Sequence, residues 1–244
     1  HPPATHMHPL AASTAVAVLA LILAALLSPP SPFASLPSSV DMLPLPLQEW
    51  AGLPGATSLP ISVAGVTLDV FTILFECQKI GRRQCGLPLV LVHGFPTSSY
   101  DWHGVAGRLS ADRNVIVLDL PGYGLSDKPL PADYAYSLFD QAKVVFAVAA
   151  HYGVTSAGLV CHDMGDSVCE EMVASAADGA PHAVGLDIAF VVFNNGGMKI
   201  DMASFRFSQV LLRLPLVGDA FVRLSNYAIF SRQIRSISSE LLTS

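Results

Sequence analysis

The segment Leu159–Val168, LVCHDMGDSV, holds the residues best arranged for chemistry. An apolar, strand-forming run passes directly into Cys161-His162-Asp163-Met164-Gly165 and then into a helix-forming stretch. The layout is small-x-nucleophile-x-small, a nucleophile elbow, in which a sharp strand-to-helix turn presents the middle side chain at a helix N-terminus. Gly165 permits close packing of helix against strand, and the middle residue is Asp163. A carboxylate beside a helix N-terminus is stabilised as the anion, so it stays charged and nucleophilic at neutral pH. The competing reading of Asp163 is a helix N-cap. No Gly-x-Ser-x-Gly occurs anywhere in the chain, which counts against a serine esterase or lipase. Ser126 and Ser167 read as turn and helix residues, since neither sits in an elbow.

Two further segments bear on the same site. Leu91–Trp102, LVHGFPTSSYDW, brings a second apolar strand to the turn His93-Gly94-Phe95-Pro96. A backbone N–H from that turn, with the N–H of Met164, would form an oxyanion hole, two donors aimed where negative charge develops. One such donor is typically worth about 3–4 kcal/mol of barrier. Asp119–Asp127, DLPGYGLSD, carries Gly122 and Gly124 in a way that superficially resembles a dinucleotide loop. Asp127 stands where the third glycine of that fingerprint belongs, so nicotinamide dinucleotide binding is rejected.

These segments need a scaffold, and the hydrophobic pattern supplies one. Pro88–His93, Arg113–Leu120, Ala157–Cys161 and Leu186–Phe193 are continuous apolar runs of the kind buried on both faces of a parallel sheet. Helical patterns at Leu138–Tyr152 and from about Asp166 to Ala177 alternate with them, which implies βαβ units. ISVAGVTLDVFTILFEC, from Ile61, reads as a hairpin broken at Ala64-Gly65. The expected division is a hydrophobic signal peptide or signal anchor over 1–28 and a Pro/Ser-rich linker over 29–60. An α/β core then covers 61–197, and amphipathic helices cover 198–244.

Composition removes several function classes. Apolar residues make up 52% of the 244-residue chain and charged residues 13%, so it has ample surface to bury and is not a disordered chain. Thirteen Lys and Arg against nineteen Asp and Glu, with no basic run, exclude a nucleic-acid partner. Residues 10–27 are uncharged, and as a helix would be about 27 Å long, close to the ~30 Å of a bilayer core. A membrane partner through this N-terminal segment is therefore expected, with location in the endoplasmic reticulum or secretory pathway. Cys77 and Cys85 flank KIGRRQ, read as a hairpin turn, and form either a bridge across it or two free thiols. No cysteine pair has zinc-ligand spacing, so no metal is expected.

HGFPTSSYDW, DLPGYGLSDKP and HDMGD, in that order and spacing, resemble an α/β hydrolase. They are most similar to the epoxide hydrolase and haloalkane dehalogenase branch, and within it to the mesoderm-specific transcript protein group. That group's Asn-Gly-Gly turn is matched by Asn195-Gly196-Gly197, and its Asp after the elbow by Asp166. The resemblance implies a mostly parallel twisted sheet with helices on both faces and the start of a helical cap. It implies Asp163 as nucleophile toward a small molecule with an electrophilic carbon, and a covalent ester intermediate. Phe95 and Met164 would be the oxyanion-hole amides, and no cofactor is needed. His93, Gly94, Trp102 and His162 would flank the substrate, with loop hydrogen bonding the competing role for both histidines. Tyr227, in the cap segment, is the tyrosine available to activate an epoxide oxygen. Epoxides are preferred to haloalkanes because Phe95 stands where many dehalogenases carry an Asn for halide.

Two departures accompany these matches. The branch places its catalytic histidine after an eighth strand, whereas no histidine follows His182 here. The position for an acid after strand six reads Asn194-Asn195. With six candidate strands, the last two strands are expected to be missing, and the sequence reads as stopping inside the cap. Such a chain would form an ester without turning it over, or act as a non-catalytic membrane-associated binding protein.

Overall fold

The computed structural model describes residues 40–79 and 84–196, together with Leu214 and Val217. The chain divides into two compact units, Ser39–Ala203 and His1–Ser38 with Ser204–Ser244. All that follows concerns the first. The expected anchor over 1–28, the cap over 198–244 and Tyr227 lie outside the described residues. No helix among the described residues is long and apolar enough to cross a membrane.

Six strands form one sheet: β1 (Ala56–Val63), β2 (Val66–Phe75), β3 (Gly86–Val92), β4 (Arg113–Leu118), β5 (Ser156–His162) and β6 (Asp187–Asn194). Their order across the sheet is β1-β2-β4-β3-β5-β6. The first two pairings are antiparallel and the other three parallel. Among the described residues four α-helices accompany them: α1 (Leu45–Ala51), the single turn α2 (Ala106–Leu109), α3 (Leu138–His151) and α4 (Met164–Ala177). The sheet is thus mostly parallel with helices on both faces, as expected.

The period-two geometry of a strand explains why the central strands are apolar throughout. Val90 and Val92 of β3 face one way, packing with Ile116, Leu118, Leu159 and the α3 and α4 residues Val145, Val148, Val168 and Met172. Leu89 and Leu91 face the other way, joining Val115, Val117, Trp102 and Trp50 of α1. Leu138 begins α3 because Ser137 caps it, its hydroxyl accepting from the Asp140 amide.

Two expectations require correction. The Pro/Ser-rich stretch 29–60 is not a linker throughout, because α1 and the first half of β1 lie within it. Trp50 docks α1 onto the sheet, and β1 tolerates Pro60 because it is an edge strand with no ladder bond to lose on its outer side. The segment between Cys77 and Cys85 is not a hairpin turn, since β4 lies between β2 and β3. It is a link from one strand to a non-neighbour. Cys77 and Cys85 are nonetheless disulfide-bonded, with Cα atoms 6.3 Å apart. Cys161 and Cys169, whose pairing the sequence left unaddressed, form a second bridge, with Cα atoms 6.6 Å apart. The predicted turn at Ala64-Gly65 is present, with both residues at positive φ (52° and 82°) between paired Val63 and Val66.

The parallel strands end level with one another. Val92 pairs with Leu118 and Cys161, and His162 with Asn194. The loops beyond these C-terminal ends form one rim, the place where open α/β sheets bind ligands. Helix α4 approaches that rim closely. A Cβ on Gly165 would sit 2.5 Å from the Val92 carbonyl oxygen and 2.7 Å from that of His93. Both neighbours are backbone and cannot swing aside. Gly165→Ala is therefore expected to destabilise the protein by about 1–3 kcal/mol, read as a lower urea midpoint at unchanged slope.

Candidate active site

The strand-to-helix junction is as tight as the sequence predicts. Asp163 adopts φ 53° and ψ −119°, a left-handed conformation costing a non-glycine residue about 1–3 kcal/mol. Neighbouring backbone holds it there. The Asp163 amide donates to the Asn194 carbonyl (3.1 Å), and the Asp166 amide donates to the Asp163 carbonyl (3.0 Å). The side chain is anchored by the Phe95 amide, which donates to Asp163 Oδ1 at 2.9 Å. This contact needs Gly94, where a Cβ would run into the Asp163 Cβ and lie 2.6 Å from the His162 carbonyl oxygen. Met164 opens α4, so its amide has no carbonyl one turn earlier to bond. Asp163, Phe95, Gly94 and Met164 are therefore brought together.

His93 is placed differently from a substrate contact. It is fully buried. The Leu120 amide donates to its Nε2 (3.0 Å), which leaves the proton on Nδ1 to be donated to the Gly94 carbonyl (2.9 Å). Both nitrogens are occupied, so the substrate-flanking role expected for His93 is corrected to a loop tie. Burial, the largest influence, holds its pKa below the usual histidine range despite the nearby carboxylate of Asp119. Trp102 is also buried, its ring edge-on to His162 with centroids 6.5 Å apart. His162 remains partly exposed, with Nδ1 3.7 Å from Asp101 Oδ2. The Thr97 hydroxyl lies against that same carboxylate and 3.0 Å from the Gly94 carbonyl.

Asp119, Lys128 and Tyr123 are site-forming residues that escaped the sequence reading. Asp119 is fully buried and accepts from the Ser99 amide (2.6 Å) on one oxygen and the Leu125 amide (2.6 Å) on the other. It thereby fastens the Gly94–Trp102 turn to the loop after β4. Gly124 is required for this carboxylate, because a Cβ there would overlap it. That accounts for a glycine the dinucleotide comparison could not place. The Ser126 hydroxyl donates to the Asp119 carbonyl (2.6 Å) and accepts from the Phe71 amide (2.8 Å), a structural role. Lys128 donates to the Gly124 and Ser126 carbonyls, both at 2.8 Å, and burial lowers its pKa. Asp166 is buried and accepts from the Asn194 amide (3.1 Å), tying α4 to the end of β6. Tyr123 reaches the elbow itself, its hydroxyl donating to Met164 Sδ at 3.5 Å. A buried acid at the end of an apolar strand, followed by glycines, was the available signal for Asp119. Nothing in the sequence pointed to Tyr123. Among the described residues no cluster of acids, histidines or cysteines could hold a metal ion.

Two predictions follow from this network. Asp119→Ala leaves the buried Ser99 amide and the part-buried Leu125 amide without an acceptor and is expected to cost about 2–4 kcal/mol, measured by urea unfolding. His93 has a folded-state pKa depressed below its unfolded value of 6.5. Its stabilisation is thus complete above pH 6.5 and falls as the pH drops below that value, by up to about 1.4 kcal/mol per pH unit. Unfolding free energies measured at pH 8.0 and 5.5 should differ more in the parent than in His93→Gln.

Residues 88–191 match the family model described as the alpha/beta hydrolase fold. A Mycobacterium tuberculosis protein named as a hydrolase, LipZ, is 38% identical over 62% of this chain and 50% of its own length. The mesoderm-specific transcript homolog protein of Bos taurus is 36% identical over 61% of this chain and 44% of its own. A haloalkane dehalogenase of Bradyrhizobium diazoefficiens is 39% identical over 50% of this chain and 38% of its own. The chain spans half or less of the length of these curated relatives. Strand order, elbow and sequence match agree on the α/β-hydrolase fold for the segment that the family model matches.

Proposed function

We propose that this protein is a hydrolase of the Asp-nucleophile branch, epoxide-hydrolase-like, working through a covalent ester on Asp163. The observation that carries this reading is the Asp163 carboxylate, presented on a left-handed elbow and held by the Phe95 amide at 2.9 Å. Among the described residues only Oδ1 is hydrogen-bonded, so Oδ2 is the attacking oxygen. Oδ2 forms a bond to an electrophilic carbon, and the carbon–oxygen bond of a strained ether breaks with its electron pair leaving on oxygen. Water then attacks the carboxyl carbon of the ester. The resulting oxyanion is stabilised by the Phe95 and Met164 amides, donors already oriented before charge develops.

The relatives include a haloalkane dehalogenase, so carbon–halogen cleavage is the neighbouring chemistry. The Phe95 side chain, exposed at the rim and without a polar group, favours the epoxide reading. The histidine and acid that the family uses to activate water have no match in this sequence. Ester formation is the step that the Asp163 and Phe95 geometry supports. Membrane association through residues 10–27 and a place in the secretory pathway belong to the same reading. Two disulfides support it, being bonds that persist in oxidising compartments.

The test is a single-turnover measurement. The full chain incubated with styrene oxide or 1-bromobutane is expected to gain the corresponding alkyl mass on the peptide containing Asp163, and Asp163→Asn should gain none. A folded parent that gains no mass from either reagent would favour the non-catalytic binding reading.

A further inference from the structure

A pocket lies at the opposite end of the sheet from Asp163. Val154 and Thr155 precede β5, Leu186 precedes β6, and all three line it. The seven residues of β5 separate it from the elbow, roughly 20 Å at ~3.3 Å per residue. The β1–β2 turn and one side of α3 complete the wall. Its volume is about 500 Å³, within the ~300–1,000 Å³ of small-molecule pockets. Buried Val63, Phe146, Val154 and Leu186 give it an apolar floor. Among the described residues no carboxylate lines it, and its nitrogen-bearing side chains are Lys143 and His182. These two gather against one ring. Lys143 Nζ stands 4.0 Å from the Phe139 centroid, and the His182 ring is edge-on to Phe139 at 4.9 Å. His182 Nε2 is buried, and among the described residues nothing bonds it. A buried nitrogen without a partner is costly, and a ligand that bonds it removes that cost. Lys143 is already held in place, its Nζ donating to Asp140 Oδ1 at 3.1 Å. The other Asp140 oxygen accepts from the Ser137 hydroxyl (2.8 Å) in the first turn of α3, where the helix N-terminus balances the carboxylate. An ammonium has three N–H donors, so Lys143 retains donors for a further acceptor.

We propose that this pocket binds an acyl-chain carboxylate, with its head on Lys143 and His182 and its chain along the apolar floor. The lining selects that class. An amine is repelled by Lys143, a multiply charged phosphate finds a single cation, and a neutral alcohol leaves the charge-assisted bond unmade. The chain is accommodated because buried aliphatic and aromatic groups replace its water. Binding there makes and breaks no covalent bond, and it is independent of the ester mechanism at Asp163.

The experiment is isothermal titration of the full chain with octanoate, each variant first shown folded by its urea midpoint. The parent is expected to bind one octanoate per chain. Lys143→Met should bind it about 10-fold more weakly, as should the parent with 1-octanol in its place, since a charge-assisted bond is lost in both. Lys143→Arg, which keeps the charge, should stay within about 3-fold of the parent. Ala150 lines the cavity from α3, so Ala150→Phe should fill it and abolish binding. Asp163→Asn should bind as the parent does. A folded parent that takes up no octanoate overturns the proposal. Unchanged affinity in Lys143→Met or in Ala150→Phe places octanoate elsewhere and overturns it too. Loss of binding in Asp163→Asn assigns the ligand to the elbow rim, with the same consequence.

Discussion

The approach of two backbones, β3's exit turn and the start of α4, is the constraint from which the rest of the site follows. Gly94 and Gly165 sit on either side of this approach, and each would collide with backbone or with the Asp163 side chain if it carried a Cβ. Only at that separation does the Phe95 amide reach Asp163 Oδ1. The charge-assisted hydrogen bond orients a carboxylate whose own backbone is held in an unfavourable left-handed conformation. The surrounding structure must over-determine that conformation, and it does so through carbonyl and amide contacts to Asn194 and Asp166.

A buried polar network carries the same constraint outward. His93, Asp119 and Ser126 are all buried, and each bonds to backbone groups of a segment distant in the chain. Such networks are demanding, because any unpaired member in a low-dielectric interior is costly, but fully satisfied they specify one arrangement. Here they fasten the Gly94–Trp102 turn, the Asp119–Asp127 loop and β2 into one rim. Tyr123 owes its place at the elbow to this fastening. Its loop carries no catalytic motif of its own, yet the Asp119 carboxylate and the Lys128 ammonium leave it one way to lie.

The second disulfide belongs to the same region. Cys161 is the second-last residue of β5, two before Asp163, and Cys169 lies in α4, so the bridge spans the elbow. The other flank of the sheet is less covered. Phe190 and Val192 of β6 are exposed. Phe190 lies over Gly158, which explains why β5 carries a glycine in mid-strand.

The sequence alone determined the strand and helix alternation, the elbow at Asp163 and the turn at Gly94-Phe95, because period and turn chemistry are local properties of the chain. It also determined the hairpin at Ala64-Gly65 and the starts of α3 and β4 to within a residue or two. The order of strands was not legible. The insertion of β4 between β2 and β3 turned an apparent hairpin into a link between non-neighbours, and pairing partners are set by packing across the whole sheet. The first strand was partly hidden by prolines that only an edge position makes tolerable. The side chains of Asp119 and Tyr123 were equally hidden, since their roles depend on which loops the fold folds back against the elbow. Local pattern names the elbow residue; only tertiary packing decides which donors surround it, because hydrogen bonds at about 3 Å join residues that the chain keeps far apart.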